Sequence, residues 1–243
     1  MNLVLDIGNT STKAAIFDND KIVGTKIFDE PLVCDIEFLL RNYPSTNNCI
    51  LSVVGKIDNS LYQYLNNTFP RIIELKGSTP LPFSNNYKSK ETQGPDRIAA
   101  IAGVTVVFPG VDVLVIDAGT AIKFDFVDSS ANYHGGNISP GIEMRFKALH
   151  TFTEKLPLLK KSITEKLLGD TTEDAIICGV LNAIVFEIEG YINALKKDYP
   201  NLKTIITGGD AGFLDDKIKS PIFADQNLVL TGLNRILQYN LRS

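Results

Sequence analysis

Histidine and cysteine are scarce in this chain of 243 residues: it has two histidines, His134 and His150, and three cysteines, Cys34, Cys49 and Cys178. No Cys-x-x-Cys and no His-Glu-x-x-His occurs, which argues against a structural zinc or a zincin site. A Ser-His-Asp triad would need one of the two histidines, and no Gly-x-Ser-x-Gly elbow is present; both histidines are expected to be structural or solvent-facing. Three widely spaced cysteines make no disulfide framework, as suits a reducing cytosol. Basic charge is not in excess either. Lys plus Arg number 24 against 28 acidic residues, a formal charge of −4, which disfavours nucleic acid as the main partner. Lys160-Lys161, with Lys155 and Lys166 nearby, is expected to be a solvated face. No run approaches 18 apolar residues, and the opening Met1 to Asp6 has no basic n-region or apolar h-region. Neither a signal peptide nor a membrane span is expected, and the expected location is cytoplasmic.

What is present is enough apolar residue, 44%, to build a sizeable core as one large domain or two smaller ones. Leu3–Leu5, Lys13–Phe17 and Lys21–Phe28, separated by turn residues, predict a three-stranded antiparallel meander. Helical spacing is seen at Leu32–Tyr43, Asn59–Asn67, Pro95–Phe108, Ile142–Thr151, Thr172–Lys197 and Leu228–Leu241. The row Ile176, Val180, Ile184, Ile188 and Ile192, flanked by Ile177, Leu181 and Tyr191, is wide enough for a domain core and a subunit partner.

Two segments repeat. Val4-Leu5-Asp6-Ile7-Gly8-Asn9-Thr10, followed by Thr12-Lys13 and a strand ending at Asp18, is matched by Val115-Ile116-Asp117-Ala118-Gly119-Thr120, Ile122-Lys123 and a strand ending at Asp128. One residue is skipped beside Asn9, and Asp6 and Asp117 stand 111 positions apart. The duplication predicts two related α/β domains, 1–110 and 111–243, each a mixed sheet with flanking helices, facing across a cleft with the break near Pro109-Gly110; such clefts are favoured ligand sites.

The repeated turn has the chemistry of a phosphate site. An aspartate at a strand end can hold Mg²⁺ directly or through water. Gly8 lets the backbone approach a phosphate, and the amides of Asn9 and Thr10 are donors. The hydroxyls of Thr10, Ser11 and Thr12 and the charge of Lys13 add to them. A third glycine turn, Gly208-Gly209-Asp210, follows a strand and suits contact with adenosine or ribose. There is no P-loop and no Gly-x-Gly-x-x-Gly.

These turns resemble those of the acetate and sugar kinase, heat-shock chaperone and actin superfamily, whose domains are ribonuclease H-like. The rest resembles the type III pantothenate kinases. The matching pieces are Asp6-Ile7-Gly8-Asn9-Thr10, Gly94-Pro95-Asp96-Arg97, Asp117-Ala118-Gly119-Thr120-Ala121, Gly135-Gly136-Asn137-Ile138-Ser139-Pro140-Gly141, Leu156-Pro157 and Thr172-Glu173-Asp174-Ala175. The resemblance implies ATP-dependent phosphorylation of pantothenate to 4′-phosphopantothenate, the first step of coenzyme A biosynthesis, by a homodimer.

It also implies roles. Asp96 is the catalytic base, and the first helical turn in which it stands favours its ionised form. Arg97 suits an anionic substrate group such as the carboxylate. Tyr87, Gly94, Pro95, Asp96 and Arg97 line the pantothenate pocket, joined by Thr172 from the partner subunit and by Thr153. Asp117 serves a monovalent cation, K⁺ or NH4⁺, Thr120 touches ATP, and Asp6 is the Mg²⁺-associated carboxylate. Thr172 alone reads as the N-cap of the long helix. The alternatives are a kinase for another small alcohol, a same-fold regulatory accessory protein and an actin-like scaffold.

Overall fold

A computed structural model describes residues 1–163 and 166–242. Their contacts divide the chain into two units. The first is Met1–Gly110 with Asp128–Gly135 and Asn227–Ser243; the second is Val111–Val127 with Gly136–Gln226. The units therefore differ from the halves 1–110 and 111–243 by a hairpin tip and the C-terminal segment.

In the first unit, β1 (Asn2–Ile7), β2 (Thr12–Asp18), β3 (Lys21–Phe28), β4 (Asn48–Val53) and β5 (Arg71–Glu74) form a sheet in the order β3-β2-β1-β4-β5. β1 is antiparallel to β2 and parallel to β4. Leu3, Leu5 and Ile7 join one core cluster with Ile36 and Leu39 of α1 (Val33–Arg41) and Leu61 and Leu65 of α2 (Asn59–Thr68). α2 starts at Asp58, whose carboxylate accepts from the N–H groups of Ser60 at 2.8 Å and Leu61 at 3.2 Å. These hydrogen bonds, led by that from the Ser60 hydroxyl, hold the carboxyl below its ordinary pKa.

β1 and β4 also pack against helices not in that cluster. α3 (Pro95–Val107) contacts β4, and α7 (Leu228–Arg242) contacts both strands. α3 and α7 lie backbone to backbone: a Cβ on Gly232 would overlap the carbonyl oxygen of Ala99, and one on Gly103 that of Leu228. The helix of α7 was legible in the sequence; its place in the first unit was not. A polar knot ties it there. Asn2 Nδ2 donates to Asn234 Oδ1 at 2.9 Å, Asn48 Nδ2 to Asn2 Oδ1 at 3.0 Å, and Asn234 Nδ2 to the Asn19 carbonyl at 2.9 Å.

The second unit repeats the topology. β7 (Val113–Ala118), β8 (Ala121–Val127), β9 (Asn132–Pro140), β10 (Lys203–Thr207) and β11 (Phe223–Ala224) run in the order β11-β10-β7-β8-β9. This is the first sheet's order with each strand replaced by its counterpart. β7 is antiparallel to β8 and parallel to β10. The registers carry the repeat down to residue pairs: Asp6 faces Lys13 and Asp117 faces Lys123. The first hairpin has one more residue between the partners, the position skipped beside Asn9. The tip of the β8–β9 hairpin belongs to the first unit, where β6 (Ser84–Asn85) pairs in parallel with Asn132–Tyr133. Asp128 organises the tip. Burial opposes its ionisation, but hydrogen bonds from the Asn132 N–H, His134, the Asn132 side chain and the Ser130 N–H bring its carboxyl down to about 2.

α4 (Ile142–Thr151) and α5 (Thr172–Lys196) pack in the second core. The row Ile176, Val180, Ile184, Ile188 and Ile192 is buried in its cluster. By length and composition α5 is apolar enough to cross a membrane, a property the count of consecutive apolar residues missed. Here its buried row is part of a protein core. The N-cap is Thr171 rather than Thr172, because Thr171 Oγ1 accepts the N–H of Asp174 at 3.1 Å. The short α6 (Ala211–Asp215) and the two-residue β6 and β11 fall below the length at which a period can be read.

Candidate active site

The first hairpin turn is built by backbone. The Gly8 N–H donates to the Ser11 carbonyl at 3.0 Å. The chain leaving β4 folds over it, with the Val54 and Gly55 N–H groups donating to the Ile7 carbonyl at 2.9 and 3.1 Å. Beside the turn is a cavity of about 760 Å³ whose lining includes Ile7, Gly8, Asn9, Thr10 and Thr12. Lys56 also lines it and was missed, because a lone lysine after a strand carries no pattern. Asp6, Ser11 and Lys13 are outside that lining. Asp6 Oδ1 is buried without a hydrogen bond, although the carboxylate has other interactions. Among the described residues no group of three or more His, Cys, Asp or Glu could hold a metal. That donor set fits Mg²⁺ bound through a carboxylate and substrate phosphates, rather than a closed protein cage.

The start of α3 is the second element of the first unit. Pro95 occupies the first helical position, where its missing N–H leaves nothing unsatisfied. Asp96 follows, with Oδ1 accepting the Arg97 N–H at 2.9 Å. Gly94 is in contact with that carboxylate: a Cβ there would stand 2.6 Å from Asp96 Oδ1. Arg97 is 4% exposed. Its guanidinium lies 5.3 Å from the centroid of the Tyr87 ring, and Nη2 donates to the Tyr133 hydroxyl at 3.1 Å. The Tyr87 and Tyr133 rings stack at 6.1 Å. Tyr87, Gly94, Pro95, Asp96 and Arg97 are thus brought together. Two further residues join them: Tyr133, whose signal was a strand aromatic two residues before Gly135, and Gln93, buried with Nε2 lacking a hydrogen bond.

In the second unit, the Asp117 turn is enclosed by two others. The Gly141 N–H donates to the Thr120 carbonyl at 3.1 Å, and the Asp210 N–H to the Ala118 carbonyl at 2.9 Å. Gly208, at φ +95°, is against the carboxylate: a Cβ there would stand 2.6 Å from Asp117 Oδ1. Gly136 presses on the β8 backbone, where a Cβ would overlap the Phe124 carbonyl oxygen. The Gly-Gly-x-Ile-x-Pro-Gly motif therefore fits β9 against β8 and ends on the Thr120 turn. The other carboxylate oxygen, Asp117 Oδ2, is 2.7 Å from Lys123 Nζ, with the two side chains 16% and 19% exposed. A monovalent cation at Asp117 does not fit this arrangement, because an ammonium already occupies the contact.

Thr172 is in the second unit, on the rim of an apolar groove of about 680 Å³ between α4 and α5 that Leu156, Ala175, Gly179 and Ala183 also line. The Thr153 hydroxyl donates to the Leu149 carbonyl at 2.6 Å. Both histidines have structural partners: His134 Nε2 is 2.7 Å from Asp128 Oδ2, and His150 Nδ1 is 2.8 Å from the Leu156 carbonyl. Cys34, Cys49 and Cys178 form no disulfide among the described residues, and burial pushes the Cys49 thiol up.

Comparison with known proteins agrees with this architecture. A glucokinase from an Antarctic psychrotroph has the same fold at TM-score 0.52 and 14% identity, covering 98% of each chain. A Campylobacter jejuni protein described as of the Baf family of transcriptional activators matches at TM-score 0.62 and 25% identity, over 99% of this chain and 100% of its own. The fold is that of the sugar kinases and actin-like ATPases, two ribonuclease H-like units of mixed sheet and helices. Two relatives named type III pantothenate kinase, from Phocaeicola vulgatus and Bacteroides fragilis, are 47% and 46% identical over 99% of this chain and cover 99% and 98% of their own lengths. The type III pantothenate kinase family model matches residues 2–194, and the chain belongs to that family.

Proposed function

We propose that Asp96 is the base and Arg97 the substrate anchor in the ATP-dependent phosphorylation of pantothenate to 4′-phosphopantothenate, the first step of coenzyme A biosynthesis. The protein is a pantothenate kinase, a phosphotransferase with an alcohol acceptor. The observation that carries the assignment of roles is the pairing at the start of α3: a carboxylate at the second helical position beside a buried guanidinium held by two tyrosines. A guanidinium in such surroundings suits a substrate carboxylate, which it can bind through two parallel N–H donors. Asp96, one residue away, would take the proton of the substrate hydroxyl as that oxygen attacks the γ-phosphate. Phosphoryl transfer depends mainly on positioning and charge stabilisation, so an ordinary carboxylate in the right place is sufficient.

The turn Asp6 to Lys13 would receive the nucleotide phosphates, with Ile7, Gly8, Asn9, Thr10 and Thr12 at the cavity and Ser11 and Lys13 supporting the turn. Thr120 would contact ATP. Mg²⁺ bound near Asp6 would supply neutralisation of phosphate charge. Thr172 would reach the pantothenate pocket from a partner subunit, which makes the enzyme a homodimer. The location is cytoplasmic, with neither nucleic acid nor membrane as partner. The likeness to the Campylobacter jejuni protein supports a regulatory accessory role as the second reading.

One assay separates the readings: ATP consumption with pantothenate against a panel of other small alcohols. Turnover confined to pantothenate is the expected result, and none would favour the accessory role. Asp96→Asn should bind both substrates yet turn over at least about a hundredfold slower. A near-normal kcat would remove Asp96 from the role.

A further inference from the structure

We propose that the ε-ammonium of Lys123 does at Asp117 what a dissociable monovalent cation would do, so that this enzyme needs neither potassium nor ammonium. The inference rests on the kinase reading above. Asp117 and Lys123 are directly opposed on β7 and β8. Cross-strand partners project to the same face of a sheet, so the pairing is built into the register and does not depend on a flexible surface lysine finding its partner. The contact is 2.7 Å, and both side chains are more than four-fifths buried. The other carboxylate oxygen lies beside Gly208, where a Cβ would stand 2.6 Å from Oδ1.

The chemistry of the substitution is direct. A lysine head is a tethered ammonium with charge +1, the charge of K⁺ or NH4⁺. Tethering removes its dependence on concentration, since no ion has to be captured from solution. A further cation at the same carboxylate would be repelled by the one already present. The ammonium also lies at the turn that continues to Gly119 and Thr120, where the nucleotide is proposed to bind. Lys123 is a positioning residue: it holds Asp117 and supplies charge beside the nucleotide turn.

The test compares buffers of K⁺, NH4⁺, Na⁺ and tetramethylammonium at matched ionic strength. Two readouts are taken: pantothenate-dependent turnover, and calorimetric binding of the Mg²⁺ complex of the non-hydrolysable imido analogue of ATP. The unaltered protein should give rates and Kd values within about twofold across all four cations. Stimulation of either readout more than about fivefold by K⁺ or NH4⁺ would overturn the proposal, with no variant required. Lys123→Ala should bind the analogue at least about tenfold more weakly in tetramethylammonium and recover several-fold in NH4⁺ or K⁺, a rescue that a purely structural loss would not show. A folded Lys123→Ala protein that binds normally in every buffer would also overturn it. If the unaltered protein binds the analogue but consumes no ATP with pantothenate, the kinase reading fails while the binding readout still decides the role of Lys123. Absence of analogue binding in any buffer would overturn both.

Discussion

Arg97 carries a charge into the buried face of α3. Its neighbours on α3, Ile98 to Ala102, are fully or almost fully buried, and the guanidinium is buried with them. Burying a charge is costly unless it is hydrogen-bonded and paired. The Tyr133 hydroxyl and the Tyr87 ring meet part of that requirement, and an incoming carboxylate would add to it. Lysine keeps the charge but loses the planar fork. Arg97→Lys should therefore raise the KM for pantothenate about 10- to 100-fold, the equivalent of a charged hydrogen bond of roughly 1.5–3 kcal/mol, with a much smaller change in kcat and in the KM for ATP. Steady-state kinetics with each substrate varied in turn would check this; equal damage to both KM values would place Arg97 elsewhere. Asp96 and Arg97 were readable in the sequence because Gly94-Pro95 announces a helix start and both follow at once. The contact of Tyr133 with Arg97 was not, since it forms through a strand pairing far along the chain.

At the scale of elements, the duplicated hairpin was the most legible feature. Its alternating strands, aspartate and glycine turn lie within 15 residues of one another in each copy, so local pattern suffices to identify them. The contact between α3 and α7 lay beyond local pattern. Gly232 and Gly103 read as weak points in two helices, while in the fold they are where the backbones meet. A methyl group at Gly232 would have to push α7 off Ala99. Gly232→Ala should cost about 1–3 kcal/mol through overpacking, seen as a fall in Tm of roughly 3–10 °C for a chain of this size. The same change at Gly190, whose Cβ would meet no heavy atom within 4 Å, should be neutral or slightly stabilising because alanine is the better helix former. A thermal melt of the two variants side by side checks the contrast. Lys123 is a subtler case. Its place beside Asp117 follows from counting through the turn, yet the family resemblance directed the aspartate toward an external ion.

For the whole molecule, the telling feature is the side of α5 that its own unit leaves exposed. One face is committed to the core of its unit. Along the other, Ala175, Gly179 and Ala183 border the apolar groove, and Phe186 is 62% exposed. Phe152, Leu158, Leu167 and Leu168 in the same unit are exposed as well. Apolar surface on this scale is a sign of an interaction site. Sedimentation should give about twice the chain mass of 26.7 kDa. Ala183→Arg, which sets a charge in the groove, should shift the protein to the monomer. If Thr172 acts on a partner's substrate, the same variant should weaken pantothenate binding more than ATP binding. A monomeric native protein with full activity would contradict both expectations.

The knot that joins Asn2, Asn48, Asn19 and Asn234 has a temporal meaning as well as a spatial one. On the ribosome the sheet that begins at Asn2 is made before the second unit, but α7, which packs on β1 and β4 with Leu228, Leu230, Leu233, Ile236 and Leu237 buried, is made after it. The first unit must wait for α7 to be synthesised before the second face of its sheet is covered. Everything assigned to the second unit has been synthesised by Gln226. The order of completion is thus inverted relative to the order of synthesis, an exception to the N-terminal-first habit of nascent chains. The nascent first unit would remain a client for chaperones until α7 arrives.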